Sequence, residues 1–452
     1  MRCRWNISLD GEKHANRCLL QYGVLICIRC HDFRKQDVVL GLLLFALVPC
    51  HLFAAFVIER AAAWQTKRTV GLKKKNSKKS PNATAAEDND VWRGRVAQLI
   101  WVFTSVCHTV NATICLVGTS YVVYYYIHHP GIGTMCELQA LIVWLKNCSY
   151  AFTNRDLRQA VLSPDGIPEL PDIYASCPYP RNITVSNLVY FWMSPTLVYQ
   201  PVYPRSPRIR WWYVVKRLFE FGCLVVVMYL LGAQYATPVL RNSIDKVAVL
   251  DMASILERVM KLSTISLVIW LAGFYAFFQS LLNALAEVMR FGDREFYTDW
   301  WNSPSVGTYW RTWNRPVYLF MKRHILSPLV GRGWGHFTAS TMVYTFSAIL
   351  HEILVGIPTH NIIGMIGYSL LLLCYLLSCL LFIGVAFAGM MFQLPLIFMT
   401  LPMEKKKSPV GKIMGNTIFW VSFCLVGQPV GVLLYFFAWQ AKYGSVSKIV
   451  TK

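Results

Sequence analysis

The side chain best placed to do chemistry in this sequence lies where a charge is expensive. His351, with its neighbour Glu352, interrupts an otherwise apolar run, Thr338–Ile357. An ionisable residue inside such a run is costly and points to function by default. Imidazole is the usual general base near neutral pH, and an apolar site keeps it uncharged and ready to accept a proton. The alternative is a histidine held for structure by its hydrogen bonds. Ser347 lies four residues earlier on the same helix face, and its expected role is packing rather than nucleophilic attack. His51 and His108 also lie in apolar runs, and packing is the expectation for both because no polar cluster surrounds either.

A second constellation is Phe296-Tyr297-Thr298-Asp299-Trp300-Trp301-Asn302. It places aromatic rings around one carboxylate and one amide. It reads equally as an anchor at a membrane interface, where Trp is enriched. Trp313-Asn314-Arg315-Pro316 begins eleven residues after Asn302. An amide in an apolar cavity can donate a hydrogen bond to a developing oxyanion. The competing role for Asn314 is to cap a helix ahead of Pro316. Cys27-Ile-Arg-Cys30-His31 matches a haem-attachment spacing, but no secretory signal is visible before it and coincidence is the reading. No metal site is expected.

The elements that must position these groups follow from composition. Of 452 residues, 55% are hydrophobic and only 15% charged, and mean hydropathy is +0.40. Soluble domains carry about a quarter charged residues, so disorder and an ordinary soluble enzyme are both excluded. An all-α polytopic membrane protein remains. Residues 38–58 lack Asp, Glu, Lys and Arg over 21 positions, enough to cross a bilayer. Residues 96–136 lack them too, and 138–152 form a shorter apolar stretch carrying Lys146. Further spans are expected at about 218–236, 262–286, 337–358, within 353–403, and at 413–441, with Met252–Lys261 as a short amphipathic piece. The count is about eight to nine spans.

The formal net charge is +21. Its placement excludes nucleic-acid binding as the explanation. Lys67, Arg68, Lys73, Lys74, Lys75, Lys78 and Lys79 share one loop; Arg205, Arg208, Arg210, Lys216 and Arg217 share another; Lys405, Lys406, Lys407 and Lys412 share a third. Each borders a long apolar run, which marks the loops as cytosolic. The chain therefore divides into an N-terminal segment 1–37, a span 38–58, a flexible basic cytosolic loop 59–95, and a bundle over 96–452. Two cytosolic segments interrupt that bundle. Residues 153–217 hold nine prolines, and 287–335 hold eleven charged and eleven aromatic residues, so amphipathic helices on the cytosolic face are expected there.

The Phe296–Asn302 motif, the Trp-Asn-x-Pro at 313–316 and Ser347-Ala-Ile-Leu-His-Glu352 together resemble the membrane-bound O-acyltransferase superfamily. More narrowly they resemble its acyl-CoA:sterol and acyl-CoA:diacylglycerol branch. Tyr203–Arg210, Phe291–Glu295, Gly427-Gln428-Pro429 and Tyr190–Tyr199 with its Ser-Pro-Thr core favour the type-1 diacylglycerol acyltransferase side. The likeness covers roughly residues 40–440. It departs from the pattern at Tyr318, where animal members carry His, and over 359–389, which looks about one span longer.

The resemblance implies a bundle of about eight to nine transmembrane helices in the endoplasmic reticulum membrane, crossed several times by the chain. It implies His351 as the catalytic base and Asn314 as the group that positions the thioester or stabilises its oxyanion. Gln428 and Gln393 would line the reaction chamber, with Glu352, Trp313 and Arg311 as further substrate contacts. Phe296, Tyr297, Asp299, Trp300, Trp301 and Asn302 would lie on the face where acyl-CoA enters. Acyl-CoA is a co-substrate and no cofactor is implied. Its phosphates would lie near Arg311, Arg315, Lys322, Arg323 and His336. Diacylglycerol and membrane lipid are the other partners, and a homo-oligomer, dimer or tetramer, is implied. The acceptor alternatives are a sterol or a fatty alcohol. A transporter should show paired halves or several intramembrane charges, and neither is visible. Asn6, Asn82, Asn111, Asn147 and Asn182 are glycosylation sequons whose use the sequence leaves open.

Overall fold

The computed structural model describes residues 34–76, 83–162, 174, 176–241, 252–360, 385–405 and 408–427. Among these the regular structure is helical, and the one β-type pairing is an isolated antiparallel bridge between Arg205 and Phe291. Five helical stretches among the described residues are long and apolar enough to cross a membrane: Lys35–Arg68, Gln98–Tyr126, Leu256–Val288, His336–Gly356 and Phe387–Glu404.

The helices are α1 (Lys35–Leu47), α2 (Cys50–Asn76), α3 (Ala83–Thr113), α4 (Thr119–Tyr126) and α5 (Pro130–Leu162). Then come α6 (Val185–Met193), α7 (Trp211–Leu231), α8 (Thr237–Arg241), α9 (Met252–Phe274) and α10 (Leu282–Val288). The set closes with α11 (Val306–Thr312), α12 (Arg315–Met321), α13 (Ser327–Gly331), α14 (His336–Gly356), α15 (Val385–Lys405) and α16 (Pro409–Val421).

Helix α5 is the axis of one half of the bundle, with α1, α2, α3, α4 and α14 packed around it. Pro130 opens it, where a missing N–H costs nothing. The carboxylate of Asp37 accepts the backbone N–H groups of His128 and His129, and Nδ1 of His129 accepts that of Ile132. These bonds satisfy donors that a helix start leaves unpaired. Because α5 is enclosed, its polar residues are buried: Glu137, Lys146, Asn147, Ser149, Asn154 and Arg158. A buried charge needs partners. Lys146 Nζ donates to the carbonyls of Phe191, Trp192 and Ser194 at 2.8, 2.9 and 2.8 Å. The ammonium thereby caps the C-terminal, negative end of α6.

Several stretches depart from the sequence expectation. Residues 59–95, expected as a flexible loop, are helical at both ends, within α2 and α3. The reason is Glu59, fully buried beyond the apolar run, which pairs with Arg158 at 2.8 Å and His108 at 3.0 Å. His108 is thus a hydrogen-bond partner of a buried carboxylate rather than a packing residue, and His51 likewise bonds the Asn111 side chain at 2.8 Å. Met252–Lys261 is the first part of α9 rather than a separate piece. Residues 153–162 complete α5, and within 174–203 Tyr174, Tyr179, Ile183, Leu188, Phe191, Tyr199 and Tyr203 form core rather than surface. Prolines keep that segment in short turns, which lets its aromatics face α5. Asn111, Asn147 and Asn182 are buried, so those sequons are closed to modification in the folded chain. Cys27–His31, Asn6, Asn82 and parts of the expected spans in 353–403 and 413–441 lie outside the described residues.

Candidate active site

His351 lies on α14, five residues before the end of the helix. Its Nδ1 is 2.7 Å from the carbonyl oxygen of Ser347. A carbonyl only accepts, so Nδ1 carries the hydrogen of the neutral ring and Nε2 is left with its lone pair. The contact fixes both tautomer and ring orientation. Ser347 Oγ is farther from the ring, at 3.4 Å. Glu352, next in sequence, faces away from this ring toward α15: its Oε2 accepts from the backbone N–H of Phe387 at 3.2 Å. Adjacent helix residues do not share a face, which is why the His-Glu pair divides.

The two motif stretches meet through main-chain bonds. Thr298 N–H donates to the Thr312 carbonyl at 2.9 Å, and Arg315 N–H donates to the Phe296 carbonyl at 3.0 Å. Asn314 begins α12: its Oδ1 accepts from Val317 N–H at 3.3 Å. Capping therefore occupies one end of this amide and leaves its two N–H bonds free of that task. Trp313 stacks parallel on Tyr309, with centroids 5.9 Å apart and an interplanar angle of 6°.

The Phe296–Asn302 motif splits by depth. Phe296 and Trp300 are buried. Trp300 meets Trp270, Phe274, Tyr309 and Phe419 in edge-on contacts. Tyr297 donates its hydroxyl to Gln279 Oε1 at 2.8 Å. Asp299, Trp301 and Asn302 are exposed. The Trp301 carbonyl accepts from Asn416 Nδ2 and Trp420 Nε1, which ties the motif to α16. Gly415 allows that approach, since a Cβ there would meet the Pro304 carbonyl oxygen at 1.9 Å.

One ring contact joins this aromatic platform to the histidine helix. Trp310 meets Tyr344 edge-on at 6.1 Å, two turns before His351. Trp313 and Leu350 pack on the same core cluster. Helix α14 also lies along α15, with Thr345 Oγ1 3.8 Å from Met391 Sδ, two residues from Gln393. Gln393 itself donates to the Gly389 carbonyl at 3.3 Å. Arg311 lies at the surface, where Nη2 pairs with Glu404 at 2.9 Å. Arg315 pairs with Glu295 at 2.8 Å, and Arg323 donates to the Tyr174 hydroxyl at 3.3 Å. Gln428 lies outside the described residues. Among the described residues no group of three or more His, Cys, Asp or Glu could hold a metal ion.

The structure adds polar residues that sequence reasoning passed over. His324, after α12, places Nε2 2.8 Å from Ser149 Oγ, and Ser149 accepts from Tyr199 N–H at 2.8 Å. Burial, then the nearby Arg323 and Arg155, pushes the His324 imidazole down to about 3. The ring is therefore neutral at physiological pH. The sequence signal was faint, because a histidine beside Lys322 and Arg323 reads as part of a basic surface.

The family model described as MBOAT, membrane-bound O-acyltransferase family, matches residues 99–437. Diacylglycerol O-acyltransferase 1C of Glycine max is 38% identical over 314 residues, which are 70% of this chain and 56% of that protein. Diacylglycerol O-acyltransferase 1 of Arabidopsis thaliana is 38% identical over 315 residues, 70% of this chain and 54% of the relative. Diacylglycerol O-acyltransferase 1 of Dictyostelium discoideum is 33% identical over 417 residues, 92% of this chain and 58% of the relative. The chain thus spans little more than half the length of the curated relatives it matches.

Proposed function

The chain belongs to the membrane-bound O-acyltransferase family, and from that premise we propose that it transfers a fatty acyl group from acyl-CoA to the free hydroxyl of diacylglycerol, making triacylglycerol. The relatives named above support the acceptor. The single observation that carries the mechanism is the His351–Ser347 contact, which leaves Nε2 as a proton acceptor in an apolar helix.

In this reading His351 Nε2 takes the proton from the acceptor hydroxyl as its oxygen attacks the thioester carbonyl. The C–S bond then breaks and the proton passes to the departing CoA thiolate. Asn314 donates from Nδ2 to the oxyanion, and one such donor is worth about 3 kcal/mol. Trp313, Gln393 and Gln428 belong to the substrate chamber. Arg311 and the motif residues Phe296, Tyr297, Asp299, Trp300, Trp301 and Asn302 belong to the side where acyl-CoA enters. Glu352 is a further substrate contact in this reading, and its Oε2 also accepts from Phe387 N–H on α15. No cofactor is needed beyond acyl-CoA as co-substrate. The endoplasmic reticulum membrane and a homo-oligomer, dimer or tetramer, complete the proposal, both on family resemblance.

The test offers labelled acyl-CoA to microsomes with diacylglycerol, cholesterol and a long-chain alcohol in parallel, beside His351→Ala. The expected result is label in triacylglycerol, lost in the variant. Label only in steryl or wax ester would overturn the acceptor and keep the family chemistry. Label in no ester, with protein present, would overturn the enzymatic reading.

A further inference from the structure

Glu287 lies near the end of α10, outside the residues assigned to chemistry, and is 1% exposed. Its Oε1 accepts from the backbone N–H of Arg210 at 2.8 Å and from Arg210 Nε at 3.0 Å. Its Oε2 accepts from Arg210 Nη2 at 2.9 Å and from Arg294 Nη1. Two guanidinium groups thus converge on one buried carboxylate. Such a group is stable only when paired and fully hydrogen-bonded, and removing one member strands the others.

What the clamp joins is the point. Arg210 ends the stretch Tyr203–Arg210, and Arg294 lies in Phe291–Glu295, two motifs that no step of the proposed reaction uses. The stretches lie side by side: Gly292 N–H donates to the Pro204 carbonyl and Ser206 N–H to the Arg290 carbonyl, both at 2.8 Å. A Cβ on Gly292 would lie 2.9 Å from that Pro204 oxygen, so the pairing needs glycine there. Arg294 also donates Nη2 to Ser206 Oγ at 2.9 Å and Nε to the Phe291 carbonyl at 2.8 Å. From Arg294 the main chain carries the constraint forward. Its carbonyl accepts from Phe296 N–H at 3.0 Å, and the Phe296 carbonyl accepts from Arg315 N–H at 3.0 Å. Arg315 follows Asn314 directly.

We propose that Glu287 is a positioning residue for acyl transfer, which sets the placement of Asn314 through Arg294, Phe296 and Arg315. The inference rests on the reading of Asn314 as the oxyanion donor. An amide displaced by about 1 Å can cost on the order of a hundredfold in rate. The loss falls on kcat and leaves KM for acyl-CoA nearly unchanged, because the oxyanion exists only in the transition state.

The experiment is a double-mutant cycle on the full chain in membranes, with Glu287→Gln, Asn314→Ala and both together. Glu287→Gln should lower kcat by about thirtyfold or more and change KM by less than about threefold. In the Asn314→Ala background the same substitution should add less than about threefold, since the group it positions is gone. A second readout needs no activity. Trypsin should cut after Arg210 about tenfold faster in Glu287→Gln, because the guanidinium is no longer held. Equal losses in both backgrounds would overturn the positioning role, as would unchanged kcat or unchanged cleavage. Asn314→Ala alone reports on the oxyanion reading. If it keeps wild-type kcat, that reading falls and the coupling with it. If it is impaired while Glu287→Gln is fully active, only the positioning role falls. Should Glu287→Gln fail to accumulate, Arg210→Lys replaces the fork with a point charge on a side chain 56% exposed, and should move both readouts in the same direction by less.

Discussion

Replacing His351 by Asn separates a catalytic base from a structural histidine. The Asn amide nitrogen occupies nearly the place of Nδ1 and can keep donating to the Ser347 carbonyl, 2.7 Å away in the wild type. It offers nothing where Nε2 stood. A structural histidine would therefore be largely replaced, while a base would be lost. General-base catalysis contributes about 10²–10⁴ in rate, which at about 1.4 kcal/mol per decade is about 2.7–5.5 kcal/mol of barrier. Folding stability should change by less than about 1 kcal/mol, because a volume-reducing change at a half-buried site keeps the bond to the Ser347 carbonyl. The assay pairs initial rates of acyl transfer to diacylglycerol with thermal unfolding in detergent. Asn at this position should abolish most turnover with the melting temperature within a few degrees of wild type. Activity within about tenfold of wild type would refute the base assignment. A collapse of the melting temperature in step with activity would show that the histidine is structural.

Other outcomes follow from the packing. Glu59→Ala leaves Arg158 buried without its carboxylate and should cost about 3–5 kcal/mol, and Glu59→Leu with Arg158→Met should recover most of it, read by thermal unfolding. Lys146→Met strands the carbonyls of Phe191 and Trp192, while that of Ser194 keeps its bond from Thr196 N–H, so a loss of about 2–4 kcal/mol is expected, with α6 the first segment to exchange amide hydrogens. Within one motif, Trp300→Ala should cost about 3–5 kcal/mol, whereas Trp301→Ala, 47% exposed, should cost under about 1 kcal/mol. Burial holds the His324 imidazole down to about 3, below its unfolded value near 6.5. Unfolding then takes up protons, so stability is complete above about pH 6.5 and declines as pH falls toward 3. His324→Gln should flatten that acid slope in pH-dependent melting, and an unchanged slope would assign it to other groups.

The sequence by itself determined the parts that depend on local composition. Runs without charge must be helices in a bilayer, because no other open segment satisfies its own backbone there. That argument found the apolar helices at 38–58, 262–286 and 337–358, and it picked out His351 as the one histidine seated beside a carboxylate within such a run. The motif wording was enough to name the family. What the sequence could not determine was which face each residue turns and what meets it there. Glu59 looked like the first residue of a loop, because its partners are 49 and 99 residues away. Phe296–Asn302 reads as one aromatic clamp, yet α9, α11 and α16 bury Trp300 and leave Asp299 outside. His351 and Glu352 are neighbours in the chain but serve different helices. Hydrogen-bond partners, burial and tautomer are set where helices distant in sequence cross, and only tertiary packing decides where those crossings fall.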